Sequence, residues 1–208
     1  MTEIPQTRRT VLARTFSLAG AAMMPAALQA ATLTAPATEG PFYPTPSMRR
    51  VDVDNDLVKI VGAVREAGGE VILLKGRILR EDGTPLTGLR IEIWQCDMKG
   101  KYLHTGDRQS IEFDEGFQGF GHDITGEDDT YSFRTILPVT YPGRTPHIHV
   151  KVFDESRELL TSQFYLADHP ANARDRIFRR LSDAQARAVS MVFEDGPDGR
   201  ETRVDVVI

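Results

Sequence analysis

From residue 70 to the end of the chain, apolar side chains fall in short runs of strand length. Val71-Ile72-Leu73-Leu74 is continuously apolar and is extended by Gly76-Arg77-Ile78-Leu79. Arg90-Ile91-Glu92-Ile93-Trp94-Gln95 alternates with period two in its first part, the mark of a half-buried strand. The same reasoning predicts strands over 120–125, 130–137, 146–153, 160–166, 189–194 and 202–208. Asp82-Gly83 marks a turn between two apolar runs. Helical spacing is confined to one place: Ile177, Phe178 and Leu181 behind Pro170 predict a helix over 171–181. Ser182 with Gln185 three residues later forms a capping box and predicts a second short helix over 183–189. Many short strands, glycine turns and few helices describe a mainly β protein. It is expected to be a β-sandwich with few short helices and long loops, folded as one domain over 70–208.

Upstream the pattern changes. Residues 31–69 are rich in prolines and polar residues and read as an extended N-terminal arm with a loop over 51–69; prolines and glycine in 40–46 forbid a helix there. Residues 1–30 have a different character again. Arg8, Arg9 and Arg14 stand against one acid, Glu3; Phe16 to Leu28 is apolar but for Ser17, Gly20 and Pro25; small residues crowd Ala26 to Ala31. That order describes a secretory signal, and the apolar stretch is short for the roughly 20 residues of a membrane span. Thr7-Arg8-Arg9-Thr10-Val11-Leu12 resembles a bacterial twin-arginine signal. The expectation is export to the periplasm or beyond by that route, with no membrane contact after cleavage near Ala30. An uncleaved membrane anchor is the competing reading.

Composition narrows the chemistry. The 208 residues carry 25 basic and 30 acidic side chains, a formal charge of −5, with no basic block, which argues against nucleic acid as a partner. The single cysteine, Cys96, cannot close an internal disulfide, build a cysteine-rich zinc site or hold an iron–sulfur cluster by itself. It reads as a small buried hydrophobe. A metal bound here must be held mainly by nitrogen and oxygen.

Of five histidines, His147 and His149 are the informative pair. In Pro146-His147-Ile148-His149-Val150 a strand points both imidazoles to one face and Ile148 and Val150 to the other. Two imidazoles so placed are half of a metal site, or else two structural histidines on a sheet surface. Tyr102 and Tyr141 add phenols. A phenol, with its pKa near 10, is a poor ligand in neutral water, but a trivalent iron strongly favours phenolate. Each tyrosine taken alone reads better as a half-buried strand or turn residue with its hydroxyl bonded than as a ligand. His104, His122 and His169 read as a surface residue, a strand residue beside an acid, and a residue near a helix start; Trp94 reads as core or pocket wall.

Seven stretches in order bear a wider resemblance: Thr38-Glu39-Gly40-Pro41-Phe42-Tyr43; Gly76 through Leu86; Ile91 to Asp97; Gly100-Lys101-Tyr102; Tyr131 to Thr135; Tyr141-Pro142 with Arg144 to His149; and Gln163-Phe164-Tyr165. Together they resemble the intradiol aromatic-ring dioxygenases, nearer the short protocatechuate 3,4-dioxygenases than the longer catechol 1,2-dioxygenases. The resemblance covers about residues 38–208. It implies a non-haem Fe(III) held by Tyr102, Tyr141, His147 and His149, with Arg144 and Gln163 beside it. It implies a catechol-type diol and O2 as substrates, ring opening between the hydroxyl-bearing carbons to a cis,cis-muconate, and a burgundy colour from tyrosinate bound to iron. Tyr141, next to Pro142 and Gly143, is the ligand expected to leave when substrate arrives; Tyr102, expected on a strand edge, stays. Arg144 is expected to stabilise charge on the reacting ring. The segment from Tyr141 to His147 is shorter than in the protocatechuate enzymes, where that loop lines the substrate pocket. The resemblance leaves room for a homo-oligomer, in which residues 38–44 reach a neighbour's pocket. Two rival readings are a non-catalytic transthyretin-like sandwich that only binds, and a colourless zinc hydrolase built on His147, His149 and an acid such as Asp123.

Overall fold

The structure, a computed structural model, describes residues 31–126 and 129–208. The expected export signal over 1–30 lies outside the described residues. Ten strands form two sheets, as the alternating pattern predicts: β1 Val71–Leu79, β2 Arg90–Trp94, β3 Phe120–Ile124, β4 Thr130–Ile136, β5 His147–Asp154, β6 Arg157–Leu166, β7 Ser190–Met191, β8 Phe193–Gly196, β9 Gly199–Arg203 and β10 Val206–Val207. Among the described residues the one α-helix, α1 Asp183–Ala188, starts on the capping box of Ser182 and Gln185.

In the first sheet β1 pairs antiparallel with β4 along one edge. Its other edge takes β9 in parallel at Ile72–Lys75 and then β10 at Ile78 and Leu79. The second sheet runs β3-β2-β5-β6-β7. Between the sheets lies the main core, where Ile72, Leu74 and Ile78 meet Ile91, Ile93, Ile148, Val150, Val152 and Phe164. Strand alternation then sends Glu92, Trp94, His147, His149, Lys151, Gln163 and Tyr165 to the opposite face of the second sheet. That outer face is not left to water, since His147, His149, Trp94 and Gln163 are all buried.

The N-terminal arm supplies much of the cover. It carries no regular element before a 3₁₀ turn at Pro46–Met48. Its backbone is tied across the sandwich by Thr34 N to Val207 O and Ala37 N to Thr161 O, at 3.0 and 2.9 Å.

Three predicted elements are broken in the structure, two of them by a side chain bonding to backbone and the third by a change of sheet. The helix expected over 171–181 is instead two 3₁₀ turns, Pro170–Arg174 and Phe178–Arg180. Between them Asp175 is extended (φ −74°, ψ 124°), and its Oδ1 accepts from the N–H groups of Ile177 and Phe178. The strand expected over 202–208 stops at Arg203, where Tyr131 donates its hydroxyl proton to Val204 O at 2.5 Å and Asp205 Oδ1 takes the Arg77 N–H in place of a backbone carbonyl. A Cβ on Gly76 would stand 1.9 Å from Val204 O, so only glycine admits this crossing. The strand expected over 189–194 divides at Val192 because the chain leaves one sheet for the other: β7 pairs with β6, whereas β8 pairs with β9.

Candidate active site

Strand β5 sets the site. His149 lies opposite Trp94 on one neighbouring strand and Gln163 on the other; His147 lies opposite Tyr165. The His149 ring stacks on Trp94 at 4.6 Å and 10°. The two imidazoles meet with Nε2 atoms 3.1 Å apart. His147 Nδ1 lies 2.7 Å from Thr145 O, so its proton belongs on Nδ1 and its Nε2 lone pair faces inward.

Two loops bring the phenols. Tyr102 sits in the long loop after β2 rather than on the strand edge expected from sequence. That loop is organised by carboxylates: Asp97 Oδ1 accepts from Lys99 N and Lys101 N, and Asp107 Oδ2 accepts from Tyr102 N at 2.9 Å. Gly100, at φ +78°, lets the loop press against the second one; a Cβ there would meet Thr140 O at 2.9 Å. Tyr141 opens a tight turn through Pro142 and Gly143 (φ +81°), closed by Arg144 N to Tyr141 O at 3.0 Å. The turn sets Arg144 beside Tyr141. The Tyr102 and Tyr141 ring centroids are 5.3 Å apart, Tyr102 and His149 6.2 Å, and Tyr141 and His147 5.5 Å. The structure therefore gathers Tyr102, Tyr141, His147 and His149 into one buried cluster.

Arg144 lies across its mouth. Its Nη1 is 3.4 Å from both Tyr141 Oη and His147 Nε2. Nη2 donates to Gln163 Oε1 at 2.6 Å, and Nε donates to Asp175 Oδ2 at 2.8 Å. Gln163 in turn accepts from Tyr165 Oη at 2.9 Å and donates to Thr38 O at 2.8 Å. The arm completes the wall over the same chain's own site: Phe42 stacks on Tyr102 at 4.7 Å, Tyr43 packs its edge against Trp94, and Gly40 leaves room for His149. Beneath, Lys151 is clasped by Glu39 and Glu158, and Tyr43 donates to Glu92 at 2.6 Å. Burial, with Glu92 adding to it, pushes the Tyr43 phenol up to about 12.

Burial dominates the electrostatics of the cluster, with the Arg144 guanidinium beside it. Burial, with Tyr141 beside it adding to the effect, pushes the Tyr102 phenol well above its usual range, and among the described residues no hydrogen bond within 3.5 Å holds its hydroxyl. Burial also raises Tyr141, against the pull of Arg144. Burial, then Arg144, lowers His147 to about 3, and burial holds His149 well below its usual value. Neutral imidazoles with free lone pairs and two neighbouring phenols fit a bound metal, whose charge would favour phenolate over phenol. Two nitrogen donors 3.1 Å apart match adjacent positions around an ion with bonds of about 2.0–2.1 Å. Two phenols with two imidazoles suit a hard, trivalent ion.

A zinc site with Asp123 does not form. Asp123 lies opposite Ile91, on the other face of the sheet from the histidines, and accepts from Ile124 N and Ser132 N. Among the described residues no group of three or more His, Cys, Asp and Glu is gathered for a metal. His104 accepts from Gly106 N beside Phe42, and His169 caps the turn at Pro170.

A family model described as "Dioxygenase" matches residues 38–208. The chain belongs to the intradiol ring-cleaving dioxygenase family. It is 35% identical over 140 residues to the protocatechuate 3,4-dioxygenase beta chain of Burkholderia cepacia, covering 64% of this chain and 60% of that one. With the hydroxyquinol 1,2-dioxygenase of Rhizobium sp. it shares 33% over 156 residues, 62% of this chain and 51% of that one. It thus spans between half and two thirds of these relatives' lengths. Among solved structures it superposes on the dioxygenase domain of a dioxygenase carbohydrate-binding protein fusion from Streptomyces sp. SirexAA-E, with TM-score 0.62 and 29% identity over 85% of this chain and 98% of that one. An intradiol ring-cleavage dioxygenase from Tetranychus urticae shares the fold, with TM-score 0.66, at 19% identity over 85% and 94%. In this intradiol family member three site neighbours escape a reading of the sequence alone. Asp175 sits between Arg174 and Arg176 like a solvated charge. Tyr165 and Phe42 fall inside matched stretches but carry no spacing signal; strand parity with His147 could have marked Tyr165.

Acid should loosen this site. Burial pushes the carboxyls of Asp107, Asp175 and Asp205 up, but hydrogen bonds from their donors outweigh it and hold all three below 3.8. A depressed folded pKa gives stability that is present above pH 3.8 and lost as pH falls through the lower folded values. The buried histidines act sooner: below about pH 6.5 the unfolded chain protonates His147 and His149 while the folded metal-free protein keeps them neutral, so urea midpoints should already decline from about pH 7 to 5 and drop further below about 4. A midpoint unchanged from about pH 7 to pH 3 contradicts the assignment.

Proposed function

We propose that the chain is an Fe(III)-dependent intradiol dioxygenase. It adds both atoms of O2 to a catechol-type diol, opening the ring between the hydroxyl-bearing carbons to a cis,cis-muconate. Tyr102, Tyr141, His147 and His149 hold the iron. The observation that carries this reading is the convergence of two imidazole Nε2 atoms and two phenols, that of Tyr102 buried, in one cluster.

Bound Fe(III) would act as the Lewis acid that takes the diol as its dianion and opens the ring to attack by O2. The protein supplies the rest. Tyr141 stands on a short turn, free of any ladder but its own bridge to Arg144, so its side chain can move without breaking a sheet. Its oxygen can take up one of the two protons the diol must lose. Tyr102, buried under Phe42 and fixed by Asp107, has no such freedom. The His147 proton is committed to Thr145 O. Arg144 holds a fixed positive charge where negative charge builds on the ring and its oxygens. The arm and Trp94 exclude water from the histidine side.

Oxygen uptake by iron-loaded protein, measured against catechol, protocatechuate and hydroxyquinol with ultraviolet spectra of the products, tests the reading. Muconate-type absorption is expected; no uptake with any diol, or a product cleaved beside the hydroxyls, contradicts it. We also propose export through the twin-arginine signature in residues 1–30. Periplasmic recovery with a new N-terminus near Ala30, lost on replacing Arg8 and Arg9 by lysine, is the expected result.

A further inference from the structure

We propose that Asp175 is a positioning residue whose single carboxylate aims Arg144 across the site and anchors Thr145, the residue that orients His147. Its consequence for turnover rests on the dioxygenase reading; its hold on the two neighbours does not.

Asp175 is 1% exposed, and both of its oxygens are committed. Oδ2 accepts from Arg144 Nε at 2.8 Å and Thr145 N at 3.0 Å. Oδ1 accepts from Ile177 N at 2.9 Å and Phe178 N at 3.0 Å. One oxygen of the carboxylate thus serves the site and the other caps the N–H groups that open the following turn. Thr145 is held a second time, by Oγ1 donating to Asn172 Oδ1 at 2.6 Å, and Asn172 Nδ2 is tied to Leu166 O. With its N–H and hydroxyl both fixed, Thr145 presents its carbonyl to His147 Nδ1. Arg144 is likewise gripped twice, at Nε by Asp175 and at Nη2 by Gln163. That leaves Nη1 as the end facing Tyr141 and His147.

The local cost of this arrangement shows that it is built for position. The sequence favours a helix over 171–181, and the chain gives it up at Asp175 to turn the carboxylate inward. A local preference overridden at one residue marks a functional constraint. A buried ion pair is also weak as a device for stability, because desolvation of both charges offsets their attraction. Phe178, whose N–H is capped by the same carboxylate, packs on Tyr165 at 5.0 Å, and Tyr165 bonds Gln163. The segment 170–180 therefore reaches Arg144 along two routes.

Two variants test this. In Asp175→Asn one oxygen becomes an NH2 donor, so two of the four N–H donors lose their acceptor whichever way the amide turns. Asp175→Ser can still cap Ile177 and Phe178 but cannot reach Arg144; it carries the test if the asparagine variant fails to melt cooperatively. In metal-free protein, phenylglyoxal labelling of Arg144 and amide exchange at Thr145, read by peptide mass spectrometry, should each rise by about tenfold. In iron-loaded protein kcat should fall about 100-fold with KM within about threefold, as expected for a misaimed group, and the visible band should stay in place. A merely structural role would change melting without this kcat-against-KM split. Wild-type rates of labelling, exchange and turnover in a folded variant overturn the inference. If wild-type protein turns over no diol, the functional reading fails, and the metal-free labelling and exchange still decide whether Asp175 holds Arg144 and Thr145.

Discussion

Replacing Arg144 by alanine is expected to leave the iron and its visible colour in place while kcat falls by about 10²–10³-fold. On the proposed ligand set the colour would report the tyrosinates on the metal. Arg144 stands 3.4 Å from Tyr141 Oη and His147 Nε2, beside the ligands and outside the proposed set. The work proposed for it lies in a charge already fixed in place before the reaction, by Asp175 at 2.8 Å and Gln163 at 2.6 Å, so that no reorganisation would be needed as negative charge develops. Lysine should recover only part of the rate, because it cannot hold the planar fork that engages Asp175 and Gln163 together. Alanine also strands the Asp175 carboxylate, whose side chain is 0% exposed, and breaking a buried pair costs about 3–5 kcal/mol. The assay therefore belongs well below the melting point, with kcat, iron content and the visible spectrum read on one sample. An unchanged kcat in folded, coloured protein contradicts the role given to Arg144.

The strands and the pairing of faces were legible because they are local. Period two in 146–153 already sends His147 and His149 one way and Ile148 and Val150 the other, and the structure follows it. The capping box at Ser182 is equally local and equally reliable. What escaped is tertiary. The helix over 171–181 has good spacing, yet the Asp175 carboxylate finds better partners across the fold than a helix could offer. The breaks at Val192 and Val204 come from a change of sheet and from the Tyr131 hydroxyl, and neither is written in the run of apolar residues. Tyr102 looked like a strand residue because Gly100-Lys101-Tyr102 follows β2 closely; Asp97 and Asp107 instead fold that segment into a loop. The motif at 38–43 pointed to the site by resemblance alone. Only packing shows how it gets there: the arm is tied at Thr38 to Gln163 and at Glu39 to Lys151, on strands that carry the site.

Removing the His149 imidazole should have the larger effect on the metal itself. His149→Ala is expected to weaken iron retention by more than about 100-fold, beyond what is lost when a supporting residue is changed, and to abolish the visible band. The imidazole is placed by two contacts that owe nothing to a metal: the Trp94 ring at 4.6 Å and the Gly40 backbone above. A donor so preorganised is bound tightly by the ion it fits, and alanine leaves a void that no neighbour fills. The sandwich should nonetheless survive. His149 points away from the core that Ile148 and Val150 build, so the sheets keep their contacts and far-ultraviolet circular dichroism should be unchanged. Metal analysis and dichroism on the same preparation separate the outcomes. Folded protein with little iron supports the site, whereas folded protein with a full complement of iron and an unshifted band removes His149 from it, and the proposed ligand set with it.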